Sequence, residues 1–157
     1  MKRTAITFLA GAALILLSGA AHAKCDPTGA DALDVAAARA AVAANCDCAG
    51  AANHGSYVSC AAKQAKATLS NQSCKGAVVK CAAHSTCGKS GFVTCCRTDS
   101  HGKTSCSTKS SPSACKPAKN GTACVSSNKP SCCDACTADG CASPSGAFLE
   151  GVGPTLY

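Results

Sequence analysis

Large hydrophobic side chains are scarce in this chain. Its 157 residues include no tryptophan, one methionine, two tyrosines and three phenylalanines. After residue 23 there is no isoleucine or methionine, and only four leucines, eight valines and two phenylalanines remain. Leu, Ile, Val and Phe then make up roughly a tenth of the sequence, below the roughly one-fifth expected of a chain that folds by burial. The plentiful apolar residue is alanine, which buries little area. At about 25 cal/mol per Å² such a core cannot offset the entropy of ordering the chain. The lack of aromatics also argues against a base-stacking surface, so nucleic acid is not an expected partner.

A long apolar run is likewise missing beyond residue 17, which excludes a membrane-spanning helix from the later chain. The early run reads as an export signal. Lys2 and Arg3 give a basic start, Ile6 to Leu17 are free of charge, and Ala21-His22-Ala23 has the small-x-small pattern cut by signal peptidases. Cleavage between Ala23 and Lys24 is expected, leaving a secreted or periplasmic protein with a bacterial type of export signal. About twelve apolar residues are too few to span a bilayer core, which needs about twenty. Cys25 follows Lys24 and not a small residue, so the site does not read as a lipoprotein signal.

What the chain has in excess is cysteine. Sixteen are present, about one residue in ten, all after the cleavage point: Cys25, Cys46, Cys48, Cys60, Cys74, Cys81, Cys87, Cys95, Cys96, Cys106, Cys115, Cys124, Cys132, Cys133, Cys136 and Cys141. An even number in an oxidising compartment reads as eight disulfides. Each bridge contributes about 2–4 kcal/mol, mainly by restricting the unfolded chain, which makes good the thin core. The connectivity is open among about two million pairings. Adjacent cysteines (Cys95-Cys96 and Cys132-Cys133) are expected to bond elsewhere, because vicinal bridges are strained.

The expected fold class is small, disulfide-rich α+β. An alanine-rich helical hairpin and a third short helix come first, then a small β-hairpin and a loop-rich, cystine-stapled region. Residues 24–141 are expected to form a single domain, because neither half has core enough alone. Residues 142–157 carry no cysteine and read as a flexible tail.

Asp31 or Thr28 is positioned to cap the first helix, with Asp34 near its positive end. Leu33, Ala36, Ala37, Ala40 and Ala44 share one face by helical spacing. A second helix is expected over 56–69, with Val58, Ala61, Ala62, Ala65 and Leu69 on its apolar face and Lys63 and Lys66 opposite. Cys46, Cys48 and Cys60 are placed to pin the two helices. A third helix over 74–85 sets Cys74, Val78, Cys81 and Ser85 on one side, and Gly88 is suited to a left-handed end. Residues 92–98 and 103–108 are β-prone runs around a turn containing Gly102. The Pro, Gly, Asn and Ser content of 110–141 reads as loops and turns.

Chemistry-bearing patterns are few. Cys132-Cys133-x-x-Cys136 resembles thiolate metal spacings, but export favours disulfides. Cys133-Asp134-Ala135-Cys136 has the form of a redox pair and lacks the βαβ setting such pairs need. Cys87-Gly88-Lys89-Ser90-Gly91 and Cys95-Cys96 with His101 resemble the calcium loop and Cys-Cys-x-x-His motif of secreted phospholipases A2. Here His101 lies five residues beyond Cys96 and is followed by Gly102 where calcium binding needs an aspartate, so the activity is not carried over. His54, His84 and His101 have no carboxylate beside them in sequence that would make a catalytic pair. His54 reads as part of the turn between helices, and His84 as a helix-end complement to the dipole.

After residue 23, thirteen basic residues face eight acidic ones, a net +5, with the lysines singly spaced over the surface. Singly spaced lysines read first as a solvated surface, so the partner is left unknown; an extracellular protein or an anionic surface is what this charge would suit. No catalytic residue, metal ligand or cofactor is assigned. The function expected is a secreted, non-enzymatic binding or structural module, with residues 99–103 and 116–122 as exposed loops for recognition. An inhibitor or toxin-like effector is the first alternative. An extracytoplasmic metal-binding or redox protein is the second, and it requires free thiols.

Overall fold

The computed structural model describes residues 24–126 and 128–142. The export signal expected at 1–23 and, apart from Ala142, the tail expected at 142–157 lie outside them. Among the described residues the fold is small, disulfide-rich α+β, with four helices, a three-stranded antiparallel sheet and a two-residue-per-strand hairpin.

Helix α1 (Ala32–Asn45) has eight alanines, the strongest helix former, among its fourteen residues. Its N-terminus is arranged differently from expectation. Asp31 stands at the cap position but makes no capping bond to the helix. Its carboxylate instead accepts from the Asp26 N–H at 2.8 Å and from Asn71 Nδ2 at 3.2 Å. Asp34 is also committed across the fold, accepting from the backbone N–H groups of Ser70 and Asn71. These bonds tie the start of α1 to the end of α2.

The buried face of α1 is also not the expected one. Val35, Ala38 and Val42 point inward, whereas Leu33 is 87% exposed and Ala36, Ala37, Ala40 and Ala44 lie on the open side. The inward set leads directly to Cys46, whose bridge to Cys60 fixes the rotation of the helix.

Helix α2 (His54–Thr68) begins with a capping box in which Asn53 and Ser56 each satisfy the other's backbone N–H. Ala61, Ala65 and Leu69 are buried as the spacing implies. A 3-10 turn (Gln72–Cys74) leads into α3 (Lys75–Ala83), which starts one residue later and stops two earlier than expected. Cys74, Val78, Cys81 and Ser85 are all buried along it. The three helices share one core of small side chains, whose size lets the backbones approach closely.

Strands β1 (Val93–Thr98) and β2 (Thr104–Lys109) form the expected hairpin. A third strand, β3 (Thr122–Ser126), pairs antiparallel with the other edge of β1, giving the order β2-β1-β3. This strand lies within residues 110–141, whose composition reads as loops and turns, so the structure corrects that expectation here. The short helix α4 (Cys132–Ala135) and the hairpin β4 (Cys136–Thr137) and β5 (Gly140–Cys141) follow.

The eight bridges organise these parts. Cys25–Cys74 and Cys46–Cys60 lie within the helical part, Cys48–Cys87 fastens the loop after α1 to the loop after α3, and Cys81–Cys133 joins α3 to α4. Across the sheet, Cys106, Cys96 and Cys124 stand side by side in register on β2, β1 and β3. They bond in turn to Cys132, Cys136 and Cys141. Successive strand residues face opposite ways, so Cys95 leaves by the other face, to Cys115.

Two glycines have opposite prospects. Gly88 has φ +67°, and a Cβ there would lie 2.6 Å from the Asn53 carbonyl oxygen. Gly88→Ala should cost about 2 kcal/mol or more, since it combines a left-handed backbone with overlap. Gly76, inside α3, has nothing within 4 Å of such a Cβ. Gly76→Ala should stabilise by up to about 1 kcal/mol. Denaturant unfolding with the bridges intact checks both signs.

Candidate functional site

The exit of α3 is where the helical part meets the sheet. The carbonyl of Pro130 accepts from the Thr86 N–H at 2.9 Å and from Thr94 Oγ1 at 3.0 Å. Ser131 Oγ donates to the Cys81 carbonyl at 2.9 Å, and the Cys132 N–H donates to the His84 carbonyl at 3.0 Å. Buried Ser85 closes the turn by donating to the Ala82 carbonyl at 2.7 Å. Together with Cys81–Cys133, these bonds hold residues 128–134 across the open side of the helices.

The space they enclose is a cleft of about 410 Å³. Its floor is apolar: Val42 of α1, Val78 and Ala82 of α3, and the half-cystines Cys46 and Cys81. Polar groups converge on it from separate segments. Arg39 comes from α1, Tyr57 from α2, Lys129 from the crossing segment and Asp134 from α4. Asp47 follows α1, and its Oδ1 accepts from the Ala49 and Gly50 N–H groups at 3.0 and 2.9 Å.

Two of these groups are electrostatically unusual. Arg39 Nε is buried and has no hydrogen-bond partner. The Tyr57 hydroxyl is pushed above its ordinary pKa of 10.0, first by burial and then by the negative charge of Asp134. A pocket of this size with an apolar floor and a few converging polar groups has the make-up of a small-molecule site. Nothing in the sequence had singled out Arg39, Tyr57 or Asp134 as a set. The available signal was one arginine in an otherwise alanine-lined helix.

The loops singled out from sequence lie elsewhere, and close together. Asp99 Oδ1 accepts from the His101 and Lys103 N–H groups, and Gly102 has φ +76° in the same turn. Gly121 packs so tightly against this turn that a Cβ would strike the Thr98 carbonyl. Residues 99–103 and 116–122 therefore form one exposed end of the sheet.

Histidines are dispersed. His54 faces the Cys87 carbonyl with Nδ1 at 2.9 Å and the Ala83 carbonyl with Nε2 at 3.1 Å, a structural tie between α2 and the α3 exit. His84 and His101 are exposed, and among the described residues no histidine ring bonds a carboxylate. Sulfur is concentrated instead. The Sγ atoms of Cys96, Cys106 and Cys136 lie within 4.8 Å of one another, as do those of Cys96, Cys124 and Cys141. Each of these sulfurs is committed to a disulfide, and all sixteen cysteines are paired. Cys133 and Cys136 bond to different partners, so no Cys-x-x-Cys bridge forms.

No family model matches this chain, and no curated protein or solved structure resembles it significantly. No helix among the described residues is long and apolar enough to cross a membrane. The bridging defines a small, stabilised module of extracellular type.

The Tyr57–Asp134 relation predicts an alkaline effect. Below pH 10 the phenol is neutral folded or unfolded, and its contribution is fully present. As pH rises through the raised value of Tyr57, the unfolded chain releases its proton first and stability falls. Asp134→Asn should lower the Tyr57 titration midpoint while leaving the part due to burial. Absorbance titration of tyrosinate, with Tyr57→Phe to subtract the other tyrosine, measures this directly.

Proposed function

We propose that the protein is an exported, non-enzymatic binding module whose recognition site is the cleft between α1, α3 and residues 128–134. The observation that carries this reading is that the cleft is walled by cross-linked segments. Cys46, Cys48 and Cys81 all line it, and each is half of a bridge to a different part of the chain. Walls fixed in this way need little ordering on binding, which lowers the entropic cost. Export fits the same chemistry, because eight bridges persist only where thiols are oxidised.

Binding is tested by recording amide signals of the protein against a fragment library by NMR. Fragments should shift residues around Arg39, Tyr57 and Asp134. Ala43→Trp, which fills the mouth of the cleft from an exposed position of α1, should abolish those shifts without altering the bridges. Shifts confined to the sheet end at 99–103 and 116–122 would move the site to those loops, as an inhibitor-like use of the scaffold requires. Fragment binding that persists in Ala43→Trp would remove the cleft from the proposal.

Export has its own test. Expressed in a bacterium with residues 1–23 present, the protein should be recovered outside the cytoplasm with Lys24 as its first residue. Intact mass should show eight bridges and no alkylatable thiol. An uncut chain retained in the cytoplasm, or several free thiols, would overturn that part of the proposal.

A further inference from the structure

Among the described residues that line the cleft, one buried side-chain nitrogen lacks a hydrogen-bond partner, and it points to a ligand chemistry. Arg39 Nε is buried without a hydrogen-bond partner. Such donors are rare in folded proteins, since each forfeits its hydration without replacement. The acids nearby do not serve it. Asp47 closes its own turn through the Ala49 and Gly50 N–H groups, and Asp134 stands beside Tyr57. Arg97 Nε on β1 is also without a partner, but Arg97 does not line the cleft.

We infer that the cleft binds a small organic monocarboxylate with an aliphatic body, its carboxylate seated on the Arg39 guanidinium. This rests on the cleft being the binding site. A guanidinium presents a planar pair of N–H donors that matches a carboxylate at two points. The charge of the lining disfavours a multiply charged anion. Arg39 and Lys129 are balanced by Asp47 and Asp134, so there is no surplus positive field to hold a dianion such as phosphate. Beyond Arg39 the floor of Val42, Val78 and Ala82 offers only apolar surface. There each buried methylene of a ligand strengthens binding by up to about fourfold. The volume of about 410 Å³ suits a short-chain acid and not a macromolecule.

Titration of the full chain, bridges intact, with sodium hexanoate tests the inference, read by calorimetry and by amide shifts. Hexanoate should bind with a Kd of about 1 mM or tighter. Hexylammonium, which lacks the anion, and acetate, which lacks the body, should each bind at least tenfold more weakly. Arg39→Gln should weaken hexanoate at least tenfold, and Arg39→Lys by less, with thermal midpoints no lower than that of the parent. Ala43→Trp provides a second loss-of-binding variant that leaves the guanidinium in place.

Equal affinity for hexanoate and hexylammonium would overturn the inference, as would full hexanoate binding by Arg39→Gln. Displacement of hexanoate by inorganic phosphate at comparable concentration would do the same. If other fragments shift the cleft residues while hexanoate does not, the ligand class is wrong and the binding site stands. If nothing shifts them, both fall.

Discussion

The joint at the end of α3 is the constraint on which the rest of this structure depends. A bridge between Cys81 and Cys133 is surrounded by backbone and hydroxyl hydrogen bonds from Thr86, Thr94, Ser131 and Cys132. It is the covalent link between the helical part and the sheet part, apart from the chain itself. Because Pro130 and Ser131 are fixed there, residues 128–134 cross over the helices and leave a walled space beneath them. Cutting this joint would remove one wall of the cleft while leaving the helical core of Val35, Val42, Leu69 and Val78 in place.

The sheet shows how bridges substitute for a core. In most small sheets one face is covered by large apolar side chains. Here the covering is a row of three cystines, with the in-register cysteines of β2, β1 and β3 each bonded to a different residue of the 132–141 segment. Two groups of three sulfurs, Cys96 with Cys106 and Cys136 and Cys96 with Cys124 and Cys141, each lie within 4.8 Å, and the Cys96 they share is fully buried. Sulfur is polarisable and apolar, so the row acts both as cross-link and as packing. The alternation of a strand explains why Cys95 and Cys96 serve opposite faces and never each other.

The parts of the fold that were legible in the sequence are those with a local signal. Helical spacing placed α2 and its buried face from Ala61 to Leu69, and a glycine-containing turn between β-prone runs placed the β1–β2 hairpin. The face of α1 was not legible from spacing alone, because in a run of alanines several faces look equally apolar. What selects Val35, Ala38 and Val42 over Leu33 and Ala36 is the position of Cys46, and its partner Cys60 is known only once the chain is folded. β3 was missed for a related reason. Its five residues, Thr122 to Ser126, are flanked by turn formers, and only pairing with β1 makes them a strand. The one signal at Arg39, an isolated arginine on an alanine-rich helix, is ambiguous, because such a residue reads equally as a solvent-facing charge.

The same cross-linking explains how Arg39 can be left without a protein partner. In a domain held together by side-chain packing, a desolvated guanidine nitrogen is relieved by small shifts of the elements around it. The elements here are less free to shift: α1 is tied to α2 by Cys46–Cys60, its following loop to the α3 exit by Cys48–Cys87, and α3 to α4 by Cys81–Cys133. Stability supplied by bridges therefore lets the cleft keep a polar group unsatisfied, a condition a thin alanine core alone could not sustain. It also leaves apolar side chains outside the core. Leu33 stands in solvent, and Phe92 and Val125 border a second hollow of about 370 Å³ on the other side of residues 128–130. In this chain the covalent framework sets the architecture, and it leaves side chains such as Leu33 and Arg39 without the packing or pairing a side-chain core would demand of them.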